Sequence, residues 1–207
     1  VYGMLGRAKR RFQIAQRDVP SAALKVVPGP RTRWAWECAF PRPYLEHVRQ
    51  AESREGLPPG LVHAVMRQES WFDPDVTSPA RAVGLLQLLP ETAATVAQAL
   101  DIPHEVSQLT SPPHNIALGA RFLKDLVARF DGRLPLAVAG YNAGPDVIAK
   151  WSRWAPKDES LDLFVERIGY AETRNYVVRV MGNYARYAYL EGGEAAVLEL
   201  RLSPAPP

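Results

Sequence analysis

Hydrophobic residues recur every three or four positions along most of the chain, which is the spacing of one face of an α-helix. The alternation of apolar and polar residues typical of a strand does not extend beyond about four positions before residues 195–202. The chain is therefore predicted to be mainly α-helical. Helices are expected at about residues 5–14, 44–55, 58–73, 90–100, 115–130, 134–141, 145–151, 161–168 and 171–190.

Nineteen prolines mark where these elements begin and end. Pro74 should end the helix before it at Asp73, because the residue that precedes a proline is disfavoured in the α conformation. Residues 74–88 lack periodicity and are rich in turn formers, so a structured loop with at most one small β-hairpin is predicted there. Residues 20–43 hold too many prolines for a long helix and are predicted to form a connector.

Composition narrows the class of protein. With 47% hydrophobic and 23% charged residues, the 207-residue chain is typical of one globular domain with an appendage, and collagen-like or wholly disordered chains are excluded. No run of 18 apolar residues occurs, so no integral membrane segment is predicted. Cys38 is the only cysteine, and the four histidines lack ligand spacing, so neither a disulfide framework nor a metal site is expected.

Positive charge is concentrated at the N-terminus. Residues 1–33 hold eight Lys or Arg against one acidic residue, which leaves the rest of the chain mildly acidic. Such an arm could bind nucleic acid, but Lys9, Arg10 and Arg11 share a short amphipathic helix with apolar residues, which favours a solvated helix face. No zinc-finger spacing, aromatic RNA-binding cluster or recognition helix accompanies the arm, so no nucleic-acid partner is predicted.

Glu69 is the most informative single residue. Helical spacing puts it in line with Val62 and Val65, so a carboxyl group occupies the apolar face of its helix. Loss of hydration there would raise its pKa and make it a proton donor near neutral pH. The alternative is a structural ion pair with a basic residue such as Arg67 or Arg174, and the helix alone does not decide between the two.

Four motifs accompany Glu69 in a fixed order. The motifs are RQESWFDPDVTSPARAVGLLQLLPETA at 67–93, NIALGARFL at 115–123, AGYNAGP at 139–145 and YAETRNYV at 170–177. Together they resemble the catalytic domain of the soluble lytic murein transglycosylases, a family with a goose-lysozyme-like fold that cleaves peptidoglycan glycan strands. The resemblance extends from about Pro41 to Tyr187.

The resemblance also implies a domain organisation. Residues 39–48 look like the segment that enters this domain in the larger, ring-shaped members of the family. Residues 1–40 are then the end of an upstream α-solenoid, residues 41–190 the catalytic domain and residues 191–207 a C-terminal tail. A start without an initiating Met or a signal-peptide pattern fits a piece of a longer chain.

By this resemblance Glu69 is the single catalytic acid and base. It protonates the oxygen between N-acetylmuramic acid (MurNAc) and N-acetylglucosamine (GlcNAc), and then takes the proton of the C6 hydroxyl that attacks C1. The product is a 1,6-anhydro sugar, and no water is consumed. No second catalytic acid, metal or cofactor is expected, peptidoglycan is the expected partner, and the expected location is the periplasm or cell envelope.

Six further residues match family positions that bind or shape the sugar. Ser78 could instead be a turn serine, Gln87 a helix cap, Tyr141 a core tyrosine and Glu172 a carboxylate that stabilises the start of its helix. Asp73 and Asp75, the other acids near Glu69, are better explained as turn residues. The matched residues are Ser78, Gln87, Tyr141, Asn142, Glu172 and Tyr176.

Three positions depart from the family pattern. Leu86 replaces a methionine and Gly140 an alanine, both mild changes. Arg81 stands where the family has glycine, and it would be strained if that position requires positive φ. Two alternatives therefore stay open: a goose-type lysozyme that hydrolyses the same bond with water, and a catalytically weak murein-binding module in which Arg81 alters the loop.

Overall fold

The helices predicted from the hydrophobic pattern are present in the computed structural model, which describes residues 7–154 and 160–193. Short 3-10 turns at Ser21–Leu24 and Val106–Thr110 connect some of them. The helices are α1 Ala8–Asp18, α2 Arg33–Ala39, α3 Leu45–Glu55, α4 Leu61–Glu69, α5 Pro90–Ala99, α6 Pro112–Arg129, α7 Leu134–Ala143, α8 Pro145–Trp154, α9 Leu161–Arg167 and α10 Ala171–Gly192.

Helix α4 lies in the middle of the larger of two hydrophobic cores. Its first six residues are all buried, and it packs along α10, which in turn contacts α7. Helices α3, α6 and α7 complete this core, and α1 and α2 add Phe12 and Trp36 to it. The N-terminal segment therefore packs on the same core as α4 and α10.

A smaller core lies between α5 and α6. It contains Leu88, Val96 and Leu109 among its fully or nearly buried residues. Phe122 and Tyr141 pack against both cores, with their ring centroids 5.1 Å apart. The two cores therefore meet at α6 and α7, and the loop before α5 lies beside this junction.

Several helix boundaries differ from the sequence prediction, among them the end of α4 and the start of α6. Helix α4 ends at Glu69 and not at Asp73, because Trp71 and Phe72 adopt left-handed backbone conformations with φ of 52° and 67°. Helix α6 begins at Pro112, three residues before the predicted start, since proline is tolerated in the first turn of a helix.

The loop at residues 74–88 contains the expected small antiparallel element. Isolated bridges pair Thr77 with Val83 and Val83 with Leu88. The alternating stretch at residues 195–202 lies outside the described residues, as does Leu5 of the first predicted helix. Within the described part of the chain, no helix is both long and apolar enough to cross a membrane.

Candidate active site

Glu69 is the last residue of α4, at the end of the buried stripe that predicted its position. Its side chain keeps some access to solvent, yet burial raises the pKa of the carboxyl to about 7. The negative end of the α4 dipole acts in the same direction. Both protonation states are therefore accessible near neutral pH, as a group that donates and then accepts a proton requires.

Tyr176 holds the Glu69 carboxyl from the facing helix α10. Its hydroxyl donates a hydrogen bond of 2.5 Å to Oε1 of Glu69. This bond lowers the pKa of Glu69, but burial has the larger effect. The ring of Tyr176 is buried, so the hydroxyl is a fixed partner for the carboxyl.

The ion pair that sequence left open for Glu69 is not formed in the described part of the chain. Arg67 donates to the carbonyl of Ala39 and to Oδ1 of Asn183. Arg174 donates to the carbonyls of Glu166 and Ile168. Glu69 is thus a buried carboxyl that a phenol neighbours and no guanidinium neutralises.

The turn after Glu69 is held by Ser70. The Ser70 hydroxyl donates to the carbonyl of Met66 and accepts the backbone N–H of Phe72, at 3.2 and 3.1 Å. Trp71 and Phe72 are both left-handed, which costs roughly 1–2 kcal/mol for each residue that is not glycine. Local contacts must offset this strain, and the buried ring of Phe72 provides one of them.

Tyr141, which the sequence placed in the site, lies close to Glu69. The charge of Glu69 adds to burial in raising the pKa of the Tyr141 hydroxyl well above its ordinary value. That hydroxyl donates 2.7 Å to the carbonyl of Leu86. Tyr141 therefore ties α7 to the loop before α5, and its hydroxyl lies close enough to Glu69 to sense the charge of that carboxyl.

Asn115 anchors this loop, a role that the sequence analysis did not identify. Its side chain is fully buried, accepts the N–H of Leu86 at 2.8 Å and donates to the carbonyls of Val83 and Leu109. Gly84 makes the approach possible, because a Cβ at this position would lie 2.3 Å from the Leu109 oxygen. An asparagine at the start of a motif, next to an apolar run, was the available signal.

Gln87 and Ser78 lie in the same loop and bond to its backbone. The Gln87 amide nitrogen donates to the carbonyls of Val76 and Gly84, which leaves its carbonyl oxygen as the group able to bind a sugar. The Ser78 hydroxyl accepts the N–H of Ala82 at 3.1 Å, as the turn alternative predicted. Gln87 does not cap α5 through these bonds.

Asn142 and Glu172 border the start of α10. The Asn142 side chain accepts a 2.7 Å hydrogen bond from the hydroxyl of Thr173, which joins α7 to α10. Glu172, next to Thr173, is exposed in the first turn of α10, where its charge favours the helix. The structure thus brings Tyr176 and Tyr141 to Glu69, while Asn142 and Glu172 lie at the neighbouring helix ends.

Comparison with known proteins agrees with this architecture. Residues 46–163, more than half of the chain, match the family model described as the transglycosylase SLT domain. The chain belongs to this family. The chain is 33% identical over 161 residues to the soluble lytic murein transglycosylase of Escherichia coli strain K12, an alignment that covers 77% of this chain and 25% of that protein.

Solved structures show the same fold for the SLT domain. The 70 kDa soluble lytic transglycosylase of Escherichia coli superposes with a TM-score of 0.77 at 29% identity, over 93% of this chain and 31% of that one. The lytic transglycosylase Slt of Pseudomonas aeruginosa, solved as an inactive Glu-to-Gln mutant, superposes with a TM-score of 0.75 at 29% identity, over 90% of this chain and 30% of that one. The mainly helical, lysozyme-like prediction is confirmed. The chain spans about a quarter to a third of the length of these relatives.

Arg81 distinguishes the loop of this SLT domain. Its φ is 65°, which is the left-handed conformation in which the sequence analysis expected an arginine to be strained. The side chain is exposed, and its guanidinium lies 3.8 Å from the exposed Glu91 carboxylate. A second departure, Gly140, has a steric reason, because a Cβ there would lie 2.9 Å from the ring of Phe130.

The histidines of the SLT domain form a pair that the sequence did not reveal. Nδ1 of His104 and Nε2 of His114 lie 3.0 Å apart, and the two rings stack. Over residues 7–154 and 160–193, no group of three or more His, Cys, Asp or Glu side chains is arranged to hold a metal ion.

Proposed function

We propose that this SLT domain is a peptidoglycan lytic transglycosylase. It cleaves the β-1,4 bond between MurNAc and GlcNAc without water and leaves a 1,6-anhydroMurNAc end. Glu69 serves first as the acid and then as the base. The observation that carries the proposal is the state of Glu69: a buried carboxyl at a helix end, with a pKa of about 7 and a single phenolic partner.

The first step requires a protonated Glu69. With a pKa of about 7, a substantial fraction of the carboxyl is protonated at neutral pH and can donate to the glycosidic oxygen. The C1–O bond breaks, the GlcNAc oxygen leaves as a hydroxyl, and the N-acetyl group of MurNAc stabilises the cation at C1. Tyr176 then stabilises the carboxylate that remains, since its hydroxyl donates to Oε1.

The second step uses the same carboxylate as a base. Glu69 accepts the proton of the MurNAc C6 hydroxyl, and the C6 oxygen forms a bond to C1. The carboxyl returns to its protonated state, so the cycle closes without a second acid or a water molecule. Its raised pKa makes Glu69 a better base than an ordinary carboxylate, which suits this step.

The surroundings of Glu69 support a mechanism with one carboxyl. Glycosidases that use water generally place two carboxyl groups across the scissile bond. Asp73 is engaged in an ion pair with Lys9, and Glu172 is exposed at the start of α10. No neighbouring carboxylate contributes to the raised pKa of Glu69, which burial accounts for.

The proposal also assigns residues that bind the sugar around Glu69. Gln87 offers its carbonyl oxygen to a sugar N–H or hydroxyl, and Ser78 and Asn142 offer polar atoms that their protein partners do not fully use. Tyr141 and Tyr176 lie beside the reacting carboxyl, and Glu172 shapes the rim of the sugar site.

The names of the relatives support the wider assignment. Murein is named in the E. coli relative, and a Glu-to-Gln replacement is named for the inactive Pseudomonas aeruginosa protein. By extension to this chain, its partner is peptidoglycan and its location is the periplasm or cell envelope. Residues 1–40 are the end of an upstream α-solenoid.

Digestion of purified peptidoglycan sacculi tests the proposal. Mass spectrometry of the released fragments should show 1,6-anhydroMurNAc ends with the native chain and none with Glu69→Gln, a variant that keeps the shape of the side chain. Fragments heavier by one water would instead identify a goose-type lysozyme. Anhydro products from Glu69→Gln would contradict the assignment to Glu69.

Arg81 is the residue on which the alternative of a catalytically weak murein-binding module rests. A strained Arg81 could distort the loop that holds Gln87. If the native chain binds sacculi but releases no more product than Glu69→Gln, the chain is a murein-binding module and the catalytic proposal fails.

A further inference from the structure

Helix α1 contacts the left-handed turn that follows Glu69. The ring of Phe12 lies 6.0 Å from that of Trp71 and 5.9 Å from that of Phe72, the latter in an edge-to-face arrangement. Phe12 and Phe72 are both almost fully buried. The guanidinium of Arg67 stacks over the same Phe12 ring at 4.7 Å. One side chain of α1 therefore touches residues on both sides of Glu69.

An ion pair adds a second contact between α1 and the turn. The Lys9 ammonium donates to the Asp73 carboxylate, and this bond lowers the pKa of Asp73. Asp73 also accepts the backbone N–H of Asp75 through its other oxygen, at 3.3 Å. Lys9 thus neutralises a carboxylate that organises the chain just beyond the turn.

The turn needs support from outside its own sequence. Trp71 and Phe72 are consecutive left-handed residues, and neither is a glycine. Ser70 satisfies the N–H of Phe72, and the Phe12 ring packs against the buried Phe72 ring and the half-exposed Trp71 ring. Without Phe12, the Trp71 ring would lose one face of its packing and the buried Phe72 ring would gain access to water.

We propose that α1 is part of the active site, with Phe12 and Lys9 acting as positioning residues for Glu69 through the turn at residues 70–73. The inference rests on the proposed function of Glu69. It assigns a role to residues 8–18, which lie outside the span that matches the family model. It also gives Lys9, singled out as part of a basic arm, a specific acidic partner within the chain.

The test compares Phe12→Ala with the native chain on sacculi across pH. We expect kcat to fall roughly tenfold while KM changes less than about twofold, because the carboxyl is displaced but the sugar contacts stay. The high-pH limb of the activity profile should move to lower pH. Water that reaches a loosened Glu69 brings the pKa of its carboxyl back toward the ordinary value.

A matched control separates positioning from general stability. Phe130→Ala removes an equally buried ring that packs on Gly140 of α7 and not on the turn. It should lower the melting temperature at least as much as Phe12→Ala and leave the high-pH limb in place. An equal shift of the limb in Phe130→Ala would overturn the proposal.

Lys9→Met keeps the test decisive if Phe12→Ala does not fold. Lys9 is exposed, so its loss should be tolerated, and we expect about a threefold fall in kcat with the limb moved in the same direction. Lys9→Arg, which keeps the positive charge, should retain the native kcat and the native high-pH limb. Arg49→Met, which removes an exposed ion pair with Glu191, should change neither. If kcat and the high-pH limb are unchanged in Lys9→Met, the positioning role of Lys9 is overturned. If both are unchanged in Phe12→Ala, the whole proposal is overturned.

A titration that needs no turnover distinguishes this inference from the proposed function. NMR of the chain with ¹³C-labelled glutamate follows the Glu69 carboxyl directly, with Glu69→Gln used to assign its signal. Phe12→Ala should lower the pKa of Glu69 and leave that of Glu52 unchanged. If the native chain releases no anhydro product but this selective shift occurs, the proposed reaction fails and the positioning contact stands. If the chain is active and no selective shift occurs, the positioning contact fails alone.

Discussion

Two buried glutamates lie at the two ends of α4, and burial raises the pKa of each to about 7. Glu52, from α3, is at the N-terminal end, where Oε1 accepts the N–H groups of Gly60 and Val62 at 3.0 Å. Glu69 is at the C-terminal end and has one phenolic partner, Tyr176. Similar pKa values therefore arise in two different environments.

The difference between the two ends separates a structural carboxyl from a reactive one. Glu52 is 4% exposed, and its bonds satisfy helix N–H groups that would otherwise lack acceptors. Glu69 lies at the unfavourable end of the helix dipole, keeps partial access to solvent and has Tyr141 nearby. A raised pKa is therefore a poor guide to catalysis unless exposure and partners are considered with it.

The largest expected difference between the two ends is in activity. Glu69→Gln should reduce the rate of anhydro-product release by about 10²–10⁴-fold, since it removes the group that transfers the proton. Glu52→Gln should change the rate per folded molecule less than about threefold, because the amide oxygen can still accept both N–H groups. Rates on sacculi at pH 6 measure both. A comparable loss in the two variants would remove the distinction.

Stability should show the opposite order. Glu52→Leu leaves two buried N–H groups without an acceptor and should lower the free energy of unfolding by about 2–4 kcal/mol. Glu69→Leu leaves only the Tyr176 hydroxyl unpaired, at a position that keeps partial access to solvent, and should change this free energy by about 1 kcal/mol or less. Urea denaturation at pH 6 gives both values. Equal losses would mean that Glu69 also supports the fold.

The pH dependence of the same measurement checks the two pKa values. Each glutamate has a folded pKa above its unfolded value, so its contribution to stability is complete below about pH 4.5 and is lost as pH rises through about 7. Relative to the native chain, Glu52→Gln and Glu69→Gln should therefore both become more stable as pH rises through this window. A pH-independent difference would contradict the raised pKa of the glutamate concerned.

Tyr176→Phe should have the smallest effect. In the native chain the hydrogen bond from Tyr176 lowers the pKa of Glu69. Its removal should therefore raise that pKa further and move the high-pH limb of activity upward by less than about one pH unit. We expect kcat to fall a few-fold. Tyr187→Phe, which removes a 2.9 Å bond to the Pro41 carbonyl from the same helix, should leave the limb in place. A downward shift in Tyr176→Phe would contradict the orientation of this contact.

The helix prediction succeeded where burial and period agree. The stripe that includes Val62 and Val65 predicted α4 and the buried position of Glu69, because the apolar face of a helix must pack against a core. It was wrong about the end of α4, since no glycine marks the left-handed Trp71 and Phe72. Their conformation depends on Ser70 and on contacts with α1, which no local pattern encodes.

The loop shows the same limit for side-chain roles. The family resemblance implied that Gln87 and Ser78 contact sugar, and the structure shows that each bonds to the backbone of its own loop. Asn115 was passed over because an asparagine in sequence carries no sign of its partners. Only the folded chain brings it within hydrogen-bond distance of Leu86.

The sequence by itself determined the helices, the family resemblance and the carboxyl on the buried face of α4, because apolar period and residue type are local properties. The tertiary structure alone decided the partners of that carboxyl. Tyr176 reaches Glu69 from 107 positions away along the chain, and Phe12 packs on the turn beyond it from the N-terminal helix. Such contacts depend on how helices pack, so the environment that raises the pKa of Glu69 is a property of the whole fold.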